Sequence, residues 1–387
     1  MKKLFLLAIS VLLSTNLFSQ VNSPFTTHTF TSLVKWAEVI TTNGSITVSG
    51  DATSEVMVEM YVSPTNSGDS GSIFGWRNNR RNNWSDEEIK QMLKEDYTID
   101  IKVEAEKLYA IARPKNKGQQ KLNISFKISV PKQVNCNLQT SNAYIRISDL
   151  SGSQNFVTSN GSVTVDNVVG KIAGNTSNGS ITLTNSNNDI DVKTGNGGIT
   201  VKYCSGKIIL RTTNGAVSLS NLSGNISATS TNSSVTANQV DGELKIETSN
   251  GSMKLDHVSG SVNARSTNSS VTANQVNGEL NIETSNGRMS LDHVSGSVNA
   301  KTSNGGMTVT MVSVSDYVIL SASNGNINLS VPAEKNYDLK AKAQRIETSG
   351  LKNFSGKVDS KNLDGKIGSG GAKIELNTSR QVNLSFD

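Results

Sequence analysis

Apolar residues in the middle of the chain recur with a constant period of 18 residues. If the first residue of each repeat is position 1, apolar side chains fall at positions 6, 8, 11, 15 and 17, as in Ile199, Val201, Cys204, Ile208 and Leu210. Alternation within 6–8 and within 15–17 predicts two short β-strands per repeat, because successive side chains of a strand point to opposite faces. Each repeat begins with Thr-Ser-Asn-Gly or a close variant, at Thr140, Thr158, Thr176, Thr194, Thr212, Ser230, Thr248, Ser266, Thr284 and Thr302.

Glycines mark two turns in each repeat, such as Gly215 at position 4 and Gly224 at position 13. Asn-Gly between alternating segments also occurs in β-hairpins, which would give an antiparallel meander or barrel. A parallel β-solenoid instead places each position over the same position of the next coil. The constant length through ten starts therefore favours a solenoid.

Two related folds fit the pattern less well. A left-handed hexapeptide β-helix needs apolar positions every six residues, and this chain does not have them. An outer-membrane barrel needs longer strands and girdles of aromatic residues, whereas aromatic residues make up 5% of the whole chain. The predicted fold class is all-β, a parallel β-solenoid of stacked 18-residue coils with one short helix near the N-terminus.

A single coil buries too little apolar surface to fold alone, so stability is a property of the array and its ends need caps. Near the N-terminus, Ser85 and Glu88 form a capping box that predicts a helix to about Lys94, with Ile89, Met92 and Leu93 on its apolar face. Strands are predicted at 97–104, 107–113, 122–130 and 374–386. An isolated Thr-Thr-Asn-Gly at Thr41 to Gly44 indicates one further coil-like turn.

The chain divides into four predicted regions. Residues 1–19 are typical of a signal peptide, with Lys2 and Lys3 ahead of a short apolar segment. The regions that follow are N-terminal strands and a cap at 20–139 with a helix-containing insertion at 64–96, the repeat solenoid at 140–330, and C-terminal capping strands at 331–387. We therefore expect export to the periplasm, the outer-membrane surface or the extracellular space, with no transmembrane segment in the mature chain.

Charge argues against one class of partner. The formal net charge is +5, and removal of Lys2 and Lys3 with the signal peptide lowers it by two. Such a weak and dispersed positive charge does not predict nucleic-acid binding. The sequence does not indicate an oligomeric state.

Candidate catalytic chemistry is sparse. His257 and His293 follow Asp256 and Asp292 in two nearly identical repeats, and such pairs can hold a metal or act as an acid–base couple. The alternative interpretation is that duplication copied one exposed dipeptide. Because no known catalytic or phosphate-binding motif occurs, we expect no enzyme activity, no cofactor and no metal site. A carbohydrate-active enzyme on a β-helix stays open as an alternative.

Two features are candidates for ligand binding. The loop at 64–84 concentrates Trp76, Arg77, Arg80, Arg81 and Trp84, residue types that are common in binding hot spots. The alternative is that its tryptophans pack onto the cap. Position 3 is Asn in nearly every repeat, which predicts either a sugar-binding ladder or corner residues that tolerate left-handed geometry and hydrogen-bond along the stack.

The cysteines are predicted to be free thiols. Cys136 and Cys204 lie about four coils apart, or roughly 19 Å at ~4.8 Å per stacked strand, whereas a disulfide needs Cα atoms within about 7 Å. Both occupy positions that point into the solenoid.

The motifs together resemble a known family of exported bacterial proteins, the putative adhesin domain. The resemblance rests on Ile128 to Pro131, Leu138 to Asn142, Leu150 to Gly152, the Thr-Ser-Asn-Gly repeats and Gly365 to Gly371. It implies a parallel, right-handed β-solenoid and supplies no catalytic residues. The sequence thus predicts a non-enzymatic adhesin-like protein that binds a glycan or a cell-surface protein, with a ligand-free periplasmic scaffold as the alternative. Within this family pattern Thr378 to Gln381 lacks the final Asn-Gly, and it is expected to form the capping coil.

Overall fold

A computed structural model describes residues 23–65, 84–116 and 120–387 of the chain. These residues form thirty strands and one short helix, and the strands of the repeat region pair in parallel. The predicted β-solenoid of 18-residue coils is therefore confirmed. The predicted signal peptide lies outside the described residues.

The N-terminal part contains one helix and eight strands. They are β1 Thr26–Phe30, β2 Trp36–Ile40, β3 Ile46–Asp51, β4 Val56–Pro64, α1 Asp86–Asp96, β5 Tyr97–Glu104, β6 Lys107–Pro114, β7 Leu122–Pro131 and β8 Asn135–Gln139.

The repeat region follows with sixteen strands. They are β9 Ile145–Ser148, β10 Gln154–Thr158, β11 Val163–Asp166, β12 Ile172–Thr176, β13 Ile181–Thr184, β14 Ile190–Thr194, β15 Ile199–Lys202, β16 Ser205–Thr212, β17 Val217–Ser230, β18 Val235–Thr248, β19 Met253–Ser259, β20 Val262–Ser266, β21 Val271–Thr284, β22 Met289–Thr302, β23 Met307–Ala322 and β24 Ile327–Val331.

The C-terminal part has six strands. They are β25 Tyr337–Lys342, β26 Arg345–Ser349, β27 Phe354–Val358, β28 Asn362–Ile367, β29 Ala372–Thr378 and β30 Gln381–Phe386.

Each coil contributes one strand to each of two walls. Wall A contains the strand that leads into a Thr-Ser-Asn-Gly corner, such as β14, and wall B the strand that leaves it, such as β15. Like residues stack on like, so that Ile181, Ile199 and Val217 are consecutive partners in wall B. From β17 onward several strands run through the opposite corner, and one continuous strand then serves both walls.

The apolar positions read from the sequence form the core between the walls. Ile199, Val201, Cys204, Ile208 and Leu210, which belong to one coil, are all at most 3% exposed. The alternating residues of the same strands are partly or fully exposed. The period-2 pattern in each half of the repeat therefore separates the core from the outer surface, as expected for strands with one buried face.

The Thr at position 1 satisfies the backbone of the corner that it begins. The Thr194 hydroxyl accepts a hydrogen bond from the Gly197 amide at 3.2 Å and donates to the Gly179 carbonyl of the preceding coil at 2.8 Å. Because these groups are buried, each would be costly to leave unpaired. The same geometry recurs at Thr212.

The opposite corner, at positions 10 to 13, carries the unusual backbone conformations. The residue at position 10 is left-handed in coil after coil, including Tyr203 at φ 54° and His257 at φ 52°. Position 13 is a glycine with positive φ, such as Gly224 at 109°. The left-handed geometry that Asn tolerates is not used at position 3, because the asparagines of the repeats have ordinary φ there and only their predicted hydrogen bonding is present.

The N-terminal coil does not lie at the end of the stack. Strand β2 pairs in parallel with both β6 and β8, and β3 pairs in parallel with both β7 and β9. Residues 36–51 are therefore inserted between the coil of 107–131 and the coil of 135–148. Antiparallel strands then cover the outer side, with β5 on β6 and β4 on β7.

The helix and strands predicted near the N-terminus are confirmed. Ser85 caps α1, with the reciprocal Ser85–Glu88 hydrogen bonds of a capping box. Leu93 is buried, while Ile89 and Met92 pack partly buried against the core. The following strands begin at the predicted residues and end at Glu104, Pro114 and Pro131.

The C-terminal end of the stack also contains an inserted coil. Strand β29 pairs in parallel with β23 and β25, and β30 pairs in parallel with β24 and β26. The coil that contains Thr378 to Gln381 was expected to cap the array. This expectation is wrong, because the coil lies between two other coils. In wall A the outer covering is formed by β28 and β27, which pair antiparallel beyond β25.

Both cysteines are free and buried, as predicted. Burial raises the pKa of the Cys136 thiol to about 12, and burial also raises the pKa of Cys204. Within the described part of the chain, no helix has the length and hydropathy needed to cross a membrane. The domain boundaries and the handedness of the coil stay predictions.

Candidate functional site

A groove crosses four neighbouring wall B strands near the C-terminal end of the stack. In spatial order the strands are β23, β24, β30 and β26, so that the inserted coil supplies the third. The groove has a volume of about 340 Å³, which lies within the range of small-ligand sites, roughly 300–1,000 Å³. Its lining comes from Thr308, Val309, Thr310, Asn328, Leu329, Ser330, Glu347, Thr348, Ser349, Asn383, Leu384 and Ser385.

Strand alternation explains which side chains line the groove. Val309, Leu329 and Leu384 are buried in the core, and the residues on either side of each point outward. Those outward positions hold hydroxyl and amide side chains in three of the four strands. The groove therefore combines hydrogen-bond donors and acceptors with apolar surface, which makes up most of its accessible area.

Hydrogen bonds link its amides along β30 and across to β24 and β23. Gln381 donates to Asn383 at 2.8 Å, Asn383 donates to Asn328 at 2.7 Å, and Asn328 donates to the Thr308 hydroxyl at 3.5 Å. Each step fixes the orientation of the next side chain. A ligand would therefore meet polar groups whose positions are already set.

Two carboxylates lie at the groove, one in its lining and one beside it. Glu347 is the only titratable residue among those that line it, and Arg345 on the same strand forms a salt bridge to it at 2.5 Å. Ser330 and Ser385 also donate to Asp387, at 2.6 and 3.1 Å. The lining is thus mainly neutral, with one paired carboxylate.

A second polar feature runs along the Thr-Ser-Asn-Gly corner. The Asn at position 3 of each coil donates from Nδ2 to Oδ1 of the Asn in the coil before, as Asn178 does to Asn160 at 2.7 Å. The Asn ladder extends in one direction from Asn43 through Asn142 to Asn324. At its start Asn43 donates to Gln120 at 2.7 Å. These side chains are bonded to each other, which supports the structural interpretation of the ladder.

The two Asp-His pairs lie on the surface at the opposite corner, where the residue at position 10 has a left-handed backbone conformation. His257 Nδ1 is 3.2 Å from Asp256, and His293 Nδ1 is 2.8 Å from Asp292. A hydrogen bond from Asn274, and then one from His257, lower the pKa of Asp256. No group of three metal-ligating side chains occurs in the ranges that the structure describes. Each imidazole therefore contacts its own neighbouring carboxylate without forming a larger cluster.

The loop at 64–84 was predicted to bind a ligand. Trp76, Arg77, Arg80 and Arg81 lie outside the described residues. Trp84 is described, and its side chain is partly buried against the core. The predicted binding role of this loop stays a prediction.

The comparisons point to a family of uncharacterised function. Residues 260–381 match the family model described as Toastrack DUF4097, and this match confirms the resemblance to a solenoid family of unknown function. The matched segment includes β29 of the inserted coil and three of the four strand segments that line the groove. No curated protein matches the chain.

One solved structure is also similar. It is the crystal structure of a putative cell adhesion protein from Clostridium sporogenes, with 9% sequence identity, and the alignment covers 94% of this chain and 100% of that chain. The TM-score is 0.18, which is too low to carry any argument about fold or function.

Proposed function

We propose that this protein is an exported, non-enzymatic, adhesin-like component of the cell envelope that binds a glycan in the wall B groove. The observation that carries the proposal is the row of hydroxyl and amide groups on β23, β24 and β30, in which Asn383 donates to Asn328 and Asn328 donates to Thr308. Sugars offer many hydroxyl groups, each a donor and an acceptor, and they are recognised by such fixed polar groups. The groove is open at the outer surface, so a longer polymer can extend beyond it.

Binding rather than hydrolysis is supported by the lining. Glycoside hydrolysis generally uses two carboxyl groups on either side of the scissile bond. Glu347 is the only carboxylate among the lining residues, and Arg345 already engages it. Asp387 lies beside the groove, where Ser330 and Ser385 donate to its carboxylate. The exposed Asp256–His257 pair lies at the opposite corner of another coil, away from the groove.

Export is supported by the N-terminal sequence, where two lysines precede an apolar segment. A ligand-free scaffold is the second candidate. It is favoured by the Asn ladder, which links successive coils along the stack. The two functions differ in whether the groove takes a ligand.

The experiment is a glycan-array and polysaccharide pull-down measurement with the purified mature chain. The double variant Asn328→Ala/Asn383→Ala removes the central amides of the groove. The control Asn263→Ala/Asn299→Ala removes two exposed asparagines from wall A. We expect the groove variant to lose binding of at least one glycan by roughly ten-fold or more, and the control to bind every glycan as the wild type does.

Three outcomes would contradict the proposal. Equal binding by the groove variant would place the ligand elsewhere, and no binding to any glycan would favour the scaffold. Release of reducing ends from a bound glycan would show an enzyme. Protease digestion of intact and lysed cells would then tell a surface location from a periplasmic one.

A further inference from the structure

Trp36 is an exposed aromatic residue on the outer face of wall A, at the end of the stack opposite the groove. Its side chain is 53% exposed although it lies within strand β2, flanked in register by Lys107 of β6 and Asn135 of β8. A large apolar side chain on an otherwise polar sheet has no packing role in the core. Exposed tryptophans of this kind are common at binding hot spots.

Polar and aromatic neighbours surround this indole. Glu38 lies two residues along the same strand and so on the same face, and its partners in the neighbouring strands are Tyr109 and Asn137. Asn155 donates to Oδ1 of Asn137 at 2.9 Å, which orients the Asn137 amide. We call Trp36, Glu38, Tyr109 and Asn137 the Trp36 platform.

The charged residues beside the platform are paired. Lys107 forms a salt bridge to Glu38 at 2.7 Å and also lies over the Tyr109 ring, 4.8 Å from its centroid. Lys35 is paired with Glu106 at 2.8 Å, and Lys102 with Glu104 at 3.2 Å. No excess of positive charge is therefore offered to an acidic polymer, and the balance suits a neutral ligand.

We propose that the Trp36 platform is a second binding site that takes a neutral glycan chain laid across wall A. The indole face would stack on the apolar face of one sugar ring, as aromatic side chains combine a large apolar surface with a polar handle. Asn137 and Glu38 would hydrogen-bond to the hydroxyl groups of the adjoining unit. The site rests on different residues from those of the groove, so either can fail without the other.

Calorimetric titration with neutral oligosaccharides tests the site. The probes are hexamers of the cello-, chito- and malto-series, with a heparin-derived hexasaccharide as the acidic comparison. We expect the wild type and the groove variant Asn328→Ala/Asn383→Ala to share a neutral-sugar binding event that Trp36→Ala weakens by roughly ten-fold or more. Tyr203→Ala is the matched control, since Tyr203 is 59% exposed at a corner, and it should bind as the wild type does.

Fluorescence provides a readout that is specific to the indole. In a Trp76→Phe/Trp84→Phe background Trp36 is the only tryptophan, because the chain contains three. A saturable change in its emission with a neutral hexamer, at the concentration given by calorimetry, supports stacking. Unchanged affinity of Trp36→Ala, absence of binding by any neutral hexamer, or binding of the heparin fragment alone would each overturn the proposal.

Discussion

The side-chain amide of Asn142 donates a 2.6 Å hydrogen bond to Oδ1 of Asn43, a residue 99 positions earlier in the chain. This contact joins the inserted N-terminal coil to the repeat array. The next bond, from Asn160 to Asn142 at 2.7 Å, spans a single repeat, yet its geometry is nearly the same. The Asn ladder therefore follows the spatial order of the coils and ignores their order in sequence.

Interrupting the ladder in its middle should destabilise the fold measurably. Asn214 donates to Asn196 at 2.7 Å and accepts from Asn232 at 2.8 Å. Asn214→Ala removes both bonds, and the free energy of unfolding should fall by about 1–2 kcal/mol in urea denaturation. The control Asn299→Ala, at an exposed wall A position, should change it by less than about 0.5 kcal/mol. Equal effects would mean that the ladder adds no stability beyond that of other surface amides.

The glycine at position 13 should not tolerate a side chain. Gly224 has φ 109°, and a Cβ there would overlap the carbonyl oxygen of Gly206 in the coil below. Gly224→Ala should therefore lower the free energy of unfolding by about 1–3 kcal/mol, which thermal denaturation would detect. At Gly306 the nearest heavy atom to a Cβ is 3.4 Å away, so Gly306→Ala should be neutral. A neutral Gly224→Ala would contradict the strain argument.

The duplicated unit should be removable as a whole. Residues 230–265 and 266–301 have nearly the same sequence, and each begins with Ser-Thr-Asn-Ser at the same position of the coil. Deletion of 230–265 keeps the register, so the far-ultraviolet circular dichroism and a cooperative unfolding transition should persist. Deletion of 239–265 is the control. It joins a wall B strand directly to the Ser-Thr-Asn-Ser corner at residue 266, so the wall A strand between them is lost. A misfolded product of the first deletion would contradict the stacked-coil architecture.

Alkaline pH should weaken the fold through Cys136. Burial raises the pKa of this thiol from 9.0 to about 12, so the folded chain keeps it protonated where the unfolded chain ionises it. The stabilising contribution is complete below pH 9 and is lost as the pH rises from about 9 towards 12, by at most about 1.4 kcal/mol per pH unit. Urea denaturation of wild type and Cys136→Val across this window measures the difference. Identical pH dependence of the two would show that the thiol does not couple to folding.

The sequence was sufficient to predict the coil but not the order of the coils. A strict 18-residue period admits one register, since each apolar position must stack on its equivalent. Thr41 to Gly44 identifies a turn of the same kind, but nothing in those residues tells which coils will flank it. That information lies in strand pairings such as β2 with β8, between segments about a hundred residues apart.

The functional surfaces were hard to predict for the same reason. The groove combines four segments from 308 to 385, and two of them come from the region without a period. Trp36 is a lone aromatic residue in sequence, and its neighbours Tyr109 and Asn137 are brought beside it only by strand pairing. The left-handed corner does carry a residue signal, because position 10 is Asn, Asp or His in six of its nine left-handed occurrences, and these residue types are enriched in that conformation.

The inserted coils also impose an order in time on the assembly of the molecule. Synthesis produces residues 36–51 first, but their two neighbours in the stack are complete only when residue 148 has been made. At the other end, residues 372–386 follow the coils of 317–331 and 337–349, and must enter between them. The N-terminal coil therefore waits for both of its neighbours to be made, whereas the C-terminal coil is made last and enters between two coils that precede it in the chain.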